Sequence, residues 1–176
     1  VAPLIYFFAA PETLWKVGDQ ESAWLPIPLN VSAKTITQTQ HEPLSVDYVT
    51  GCCMLIPRHI LQNVGLFDER FFMYFEDADF CRRVRDAGCT IHLAPQAKMW
   101  HKVSLSAKKD RPGQRYWRTW GRVQFYRQHD HGQIPLLKHP YLWGLALYTM
   151  LLDILRGDRN LIMPLLAGML DGYAGT

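Results

Sequence analysis

Three carboxylates within four residues, Glu76, Asp77 and Asp79, are the most chemically pointed feature of the chain. They open the stretch Phe75-Glu76-Asp77-Ala78-Asp79-Phe80-Cys81-Arg82-Arg83-Val84. Asp77, Phe80, Cys81 and Val84 fall at i, i+3, i+4 and i+7, so on a helix they share one face. Three of the four are apolar and turn that face toward a core, which puts Asp77 on the inward side of the N-terminal turn. There the helix dipole and unpaired backbone N–H groups favour the ionised carboxylate. An ionised carboxylate at the edge of a core is placed to act as a general base. Asp79 lies on another face, with Arg82 and Arg83 at i+3 and i+4, and reads as half of a surface ion pair. Glu76 and Asp77 read equally well as ordinary helix-start acids. The aromatics ahead of them (Phe67, Phe71, Phe72, Tyr74 and Phe75) suit both core packing and stacking on a sugar ring.

Other candidate chemistry is sparser. His101 follows Trp100 and could ligate a metal or simply be structural. Arg115, Arg118 and Arg122 make a basic stripe, with Lys108, Lys109 and Arg111 just before it. That stripe reads as a solvated face, or as a contact for a diphosphate or for anionic headgroups. His129-Asp130-His131 reads as the polar end of a helix. Cys52, Cys53, Cys81 and Cys89 fit neither a redox CxxC nor a zinc ribbon, and read as small hydrophobes. A metal site from Cys81, Cys89 and His92 is a remote alternative. No GxGxxG or P-loop pattern occurs.

The elements that must position these groups follow from periodicity and breakers. Leu4–Ala10 reads as a buried strand, or a strand and turn, ended by Pro11. Residues 13–46 read as a long loop or short irregular strands. Val46–Thr50 alternates as a strand up to Gly51, and Cys52–Ile56 is a second apolar run. Arg58–Val64 is a short helix stopped by Gly65, and Glu76–Ala87 a helix closed by Gly88. Thr90–Ala94 is a strand stopped by Pro95, with another short strand at Lys98–His101. Ser104–Gly113 reads as a flexible loop. Helices are expected at about 115–129, 140–156 and 160–171.

Composition bounds the classes. The chain has 176 residues, 48% hydrophobic and 20% charged, so it can build a core and is not disordered. Its 19 Lys and Arg against 16 Asp and Glu leave a net charge of +3, too mild to imply nucleic acid. The apolar run Tyr141–Leu152 is shorter than the roughly 20 residues of a spanning helix. Pro140–Leu155 is apolar on most sides and reads as core, as an interface, or as a helix lying in a membrane surface.

The segment Val46–Ser106 resembles the acceptor-side half of the family 2 glycosyltransferases, especially their rhamnosyltransferase-like members. The matching run is Val46-Asp47-Tyr48-Val49-Thr50-Gly51-Cys52-Cys53-Met54-Leu55-Ile56-Pro57-Arg58. It continues through Val64-Gly65-Leu66-Phe67-Asp68-Glu69-Arg70-Phe71-Phe72-Met73-Tyr74-Phe75-Glu76-Asp77-Ala78-Asp79-Phe80-Cys81-Arg82-Arg83. Ala87-Gly88, Pro95-Gln96-Ala97 and His101 follow in the family's order. Ile5-Tyr6-Phe7 with Leu14-Trp15, and Gly168-Met169-Leu170-Asp171-Gly172, extend the likeness weakly to both ends.

The resemblance implies an α/β fold, the C-terminal part of a GT-A-like transferase followed by a helical tail. It divides the chain into residues 1–112, the acceptor-side half, and 113–176, a helical region that could touch a membrane. It implies inverting transfer of a sugar from a nucleotide diphosphate, dTDP-rhamnose being one candidate, to a glycan or lipid-linked acceptor hydroxyl. Asp77 would be the base, and Glu76 would position the acceptor or the helix start. Gly51, Phe75, Trp100 and Arg118 would lie along donor or acceptor, and His101 would help hold Mg²⁺ or Mn²⁺. The family's nucleotide-binding half, with its own Asp-x-Asp, should precede this segment. The chain therefore reads as part of a cytoplasmic transferase of roughly 250–350 residues, working at the inner face of the plasma membrane and inactive as a fragment. Trp120-Gly121 stands where relatives carry Arg-Asn. The alternative class is a non-catalytic, membrane-peripheral or partner-binding module.

Overall fold

The apolar start of the chain forms β1 (Ala2–Phe7), which buries Ala2, Leu4 and Ile5 and turns into β2 (Ala10–Lys16). Pro11 lies inside β2 rather than ending the run. It can do so because β2 is a sheet edge, where a missing N–H breaks no ladder. In this computed structural model residues 1–21, 28–30, 42–102, 110–129 and 135–175 are described. The expected loop residues 104–109, together with Asp130 and His131, lie outside them.

The order continues through β3 (Asp19–Glu21), β4 (Pro28–Asn30), β5 (Leu44–Val46), α1 (Arg58–Val64), α2 (Glu76–Asp86) and β6 (Ile91–His101). Three helices follow, α3 (Arg111–Gln128), α4 (Pro135–Leu155) and α5 (Ile162–Ala174), with a 3-10 turn at Arg159–Leu161. The main sheet runs β2-β1-β6-β5, with β1 parallel to β6 and the other pairs antiparallel. β3 and β4 form a separate hairpin-like pair.

α4, expected from about 140, begins at Pro135 and carries Pro140 inside it. Three other expectations shift by a few residues for local reasons. The strand expected at 46–50 pairs only as far as Val46, because Asp47 and Tyr48 both donate their N–H groups to the Asp19 carbonyl. Pro95 does not stop its strand. Ala94 faces Pro3 while Lys98 faces Leu4, so residues 95–97 bulge out and β6 continues as one strand. α3 begins at Arg111, four residues early. Asp110 caps it by accepting the Gly113 N–H at 2.9 Å, and Pro112 fills a first-turn position that needs no donor.

The described residues fall into two compact units. The first takes those within 1–22, 27–69 and 76–103; the second takes those within 70–75 and 104–176. The short aromatic segment 70–75 thus goes with the helices rather than with the strands around it in sequence. The first core gathers Ala2, Val46, Val49, Phe80, Cys81, Val84, Ile91 and Leu93. The second gathers Val123, Leu142, Ala146, Leu165 and Met169. In that second unit Gly168 and Gly172 let α5 press onto α3. A Cβ at Gly168 would stand 2.6 Å from the Tyr116 carbonyl, and one at Gly172 2.8 Å from Val123 Cβ. Small residues four apart permit such backbone approach.

Candidate functional site

Asp77 sits in the first turn of α2, half-buried, on the face that also carries buried Phe80, Cys81 and Val84. Its Oδ2 accepts the Gly51 backbone N–H at 2.8 Å, and its Oδ1 accepts the Ala78 N–H at 2.8 Å. Gly51 is close for a reason: a Cβ there would meet Asp77 Cβ at 3.3 Å. Two residues picked out separately in the sequence are therefore one hydrogen-bonded unit. Among the described residues no cation pairs with Asp77, so its remaining lone pairs stay open to a donor from solvent or a ligand.

Asp79 differs from its expectation. It is not a surface residue but 0% exposed, with Arg83 paired to its Oδ2 at 2.8 Å. Arg83 also donates to the carbonyls of Val64 and Leu66, so one guanidinium ties α2 to the loop before it. Five donors in a rigid fork make arginine suited to that task. Arg82 turns elsewhere, to Asp86 and Glu21, and Arg85 joins it at Glu21 and at Asp47. The i+4 spacing of Asp79 and Arg83 was visible in sequence; the burial was not.

Glu76 carries a different burden. Its Oε2 is buried and has no partner among the described residues. Burial first, and the nearby Asp77 charge second, push its carboxyl above the usual carboxylate range. Cys81 is likewise no nucleophile: burial pushes its thiol up to about 11, and its S–H donates to the Val49 carbonyl. An apolar cavity of about 370 Å³ lies beside it, lined by Val49, Met54, Ile56, Ile60, Phe80 and Ile91 among others. It offers apolar surface and little that could orient a polar substrate.

In the second unit, Tyr74 and Phe75 both adopt left-handed backbone, with φ of 68° and 69°. Two consecutive non-glycine residues in that region are costly and persist only where surroundings enforce them. Here α3 enforces them. Gly121 replaces the expected asparagine because a Cβ would stand 2.9 Å from the Tyr74 carbonyl and 3.2 Å from the Phe75 ring. Phe75 packs on Phe125 at 5.7 Å, and Arg122 lies over its ring at 5.9 Å. Arg118 is exposed, with its guanidinium 4.8 Å from the Tyr74 ring centroid. Gln114 donates to the Tyr74 hydroxyl at 2.6 Å. The sequence marks Tyr74 as one of the aromatics suited to core packing or sugar stacking, but not its partner Gln114, which lies one helical turn before Arg118.

The basic stripe is not a uniform solvated face. Arg115 pairs with buried Asp153 at 2.8 Å, and burial pulls Arg122 below the usual guanidinium range. Arg111 pairs with Asp158 at 2.6 Å. Arg111, Gln114, Arg115, Arg118 and Leu161 line a small cavity of about 150 Å³.

Trp100 and His101 end β6. Trp100 is half-exposed, donates its indole N–H to the Pro11 carbonyl at 3.1 Å and lies 6.1 Å from Tyr6. His101 packs on Trp15 at 4.8 Å between ring centroids. Among the described residues no three His, Cys, Asp or Glu side chains converge on one point. Neither His101 nor the set Cys81, Cys89 and His92 belongs to such a cluster among the described residues.

Among the described residues no helix is long and apolar enough to cross a membrane. Comparison with known proteins supplies the family. A 35% identical match over 85 residues links the chain to N-acetylglucosaminyl-diphospho-decaprenol L-rhamnosyltransferase of Mycobacterium tuberculosis, covering 47% of this chain and 28% of that one. The dTDP-rhamnosyl transferase RfbF of Shigella flexneri is 22% identical over 129 residues, 69% of this chain and 43% of its own. Rhamnosyltransferase WbbL of Escherichia coli K12 is 40% identical over 50 residues, 28% of this chain and 19% of its own. The chain thus spans less than half the length of each of these relatives. The model of glycosyl transferase family group 2 matches residues 32–173. With most of its length inside that match, the chain belongs to glycosyl transferase family group 2.

Proposed function

We propose that this chain supplies the acceptor side of an inverting sugar transfer, with Asp77 as the base. One observation carries the reading. Of the three acids in the first turn of α2, Asp77 is half-buried, pairs with no cation among the described residues, and is the one that the Gly51 N–H holds in place. Asp79 is spent on Arg83, and Glu76 is pushed toward its neutral form. In this reading an Asp77 carboxylate oxygen takes the acceptor O–H proton as that oxygen bonds to the anomeric carbon. The bond from that carbon to the nucleotide diphosphate breaks on the opposite face, and the diphosphate leaves with the electron pair. Glu76 sits beside the base as a positioning residue.

The names of the relatives support substrate classes for this reading: a rhamnosyl donor, with dTDP-rhamnose the leading candidate, and an acceptor carried on a lipid diphosphate. Trp100, half-exposed beside Tyr6, offers a ring for a sugar face, and Arg118 offers a guanidinium to a phosphate. Donor binding is assigned to residues outside this chain. The Asp-x-Asp at 77–79 cannot serve it while Arg83 neutralises Asp79. Any divalent metal at the leaving diphosphate would draw its ligands chiefly from there too, with His101 the one contribution proposed from here.

The test is Asp77→Asn in the complete protein, assayed for sugar transfer. Removing one general base should lower the rate about 10²–10⁴-fold, with the far-UV circular dichroism unchanged. Activity near wild type would remove Asp77 from the mechanism, whereas a wild-type complete protein that transfers no sugar would favour the non-catalytic alternative.

A further inference from the structure

The helix α4 has its charges inside and its apolar residues outside. Lys138 is 3% exposed and donates to the His129 carbonyl at 3.1 Å; Asp153 is 2% exposed and pairs with Arg115. Leu142 and Ala146 complete this inner side against α5. On the opposite arc lie Trp143, Leu147, Tyr148, Leu151, Ile154 and Leu155, each at least 39% exposed and Leu155 as much as 73%. From Trp143 to Leu155 no exposed position carries a charge, over about 18 Å of helix. A helix facing only water shows the reverse pattern, and a contiguous apolar patch of this kind marks a contact surface.

Charge selects the occupant. Arg156 and Arg159 are exposed just beyond the C-terminal end of the apolar arc, and neither forms an ion pair among the described residues. Trp143 lies at the other end, stacked at 4° on Tyr173, an amphipathic pair of the sort that settles at headgroup depth. All four described aspartates of this unit are engaged: Asp110 caps α3, Asp153 and Asp158 pair with arginines, and Asp171 accepts the Tyr116 hydroxyl at 2.9 Å. An apolar face bordered by unopposed arginines complements an anionic bilayer better than the surface of a second copy of itself, which would bring like charges together.

We propose that the outer face of α4 lies flat in the headgroup region of an anionic bilayer, with Leu147 and Leu151 at its centre and Arg156 and Arg159 on lipid phosphates. This rests on the reading of the acceptor as lipid-linked: docking would bring the transferase to the surface that carries it.

The test uses vesicle cosedimentation of the whole chain with no donor or acceptor present. Vesicles rich in phosphatidylglycerol should bind it, and pure phosphatidylcholine should bind it less. Leu147→Glu combined with Leu151→Glu should lower partitioning by at least about tenfold. Arg156→Glu and Arg159→Glu should each cost roughly fivefold, and only on the anionic vesicles. Both leucines face solvent, so circular dichroism and Tm should hold in all variants. Asp77→Asn should bind like wild type, which separates failure of this proposal from failure of the base assignment. Unchanged binding in the double leucine variant would overturn the proposal. So would a wild-type chain that ignores every vesicle, or that forms a concentration-dependent dimer abolished by the same two substitutions.

Discussion

α2 and α4 both bury charged side chains, yet they face water in opposite ways. α2 buries Asp79 against Arg83 and still exposes Asp86, with Arg85 half-exposed. α4 buries Lys138 and Asp153 and exposes nothing but uncharged residues between Trp143 and Leu155. The units around them differ in the same sense. Among the described residues the first carries seven Lys and Arg against eleven Asp and Glu, and the second nine against four. A whole-chain charge of +3 conceals this division. The two units thus divide by charge and surface: an acidic one in which the Gly51 N–H holds the Asp77 carboxylate, and a basic one whose α4 turns its apolar residues outward.

The sharpest way to break that comparison is to test chemistry in both units. Asp77→Asn should abolish nearly all transfer, as stated above, whereas Arg118→Ala should mainly raise KM for the phosphate-bearing substrate, by about tenfold. Equal kcat losses in both variants, measured by steady-state kinetics, would mean that the units do not divide the work this way.

Stability offers the next largest effect. Asp79→Asn leaves Arg83 without its buried partner and should cost about 3 kcal/mol in urea denaturation. Gly168→Ala drives a methyl group into the Tyr116 carbonyl and should cost about 2 kcal/mol. If Asp79→Asn were neutral, the ion pair would be as dispensable as a surface one. A smaller effect belongs to the α3 cap: Asp110→Ala should lower stability by about 1 kcal/mol in the same measurement.

The smallest effect concerns pH. Burial raises the ionisation of Glu76 above its ordinary value of 4.5, so the fold prefers this carboxyl protonated. Its contribution to stability is complete below the unfolded value and is lost as pH rises through the higher folded value. Glu76→Gln should therefore raise Tm at neutral pH relative to wild type and leave the acid side nearly unchanged. A variant less stable at neutral pH would show that the charged form is the one the fold holds.

Much of this was legible in the chain itself. The helix from Glu76, its closure at Gly88 and the short helix ending at Gly65 follow from spacing and from glycine at left-handed positions, and the structure has them within a residue or two. The order of motifs from Val46 to His101 pointed to the right family. Local signals suffice there because a helix start, a cap and a run of core positions depend on neighbours three or four residues away. Pro95 and Pro11 misled for the opposite reason, since whether a proline breaks a strand depends on which strand lies beside it.

What the sequence determined by itself was therefore the set of elements, the acidic helix start and the family. Tertiary structure alone decided which carboxylate is open and which is spent. The pairing of Asp79 with Arg83 is written in its i, i+4 spacing, but the complete burial of Asp79 and the approach of Gly51 to Asp77 depend on segments about 26 residues apart meeting in space. It also decided that Gly121 must be small, because the backbone of Tyr74 presses against it. The outward turn of the apolar arc of α4 was decided in the same way. Hydrophobic periodicity marks that a helix has two sides; only packing against α5 says which of them is left for something else to cover.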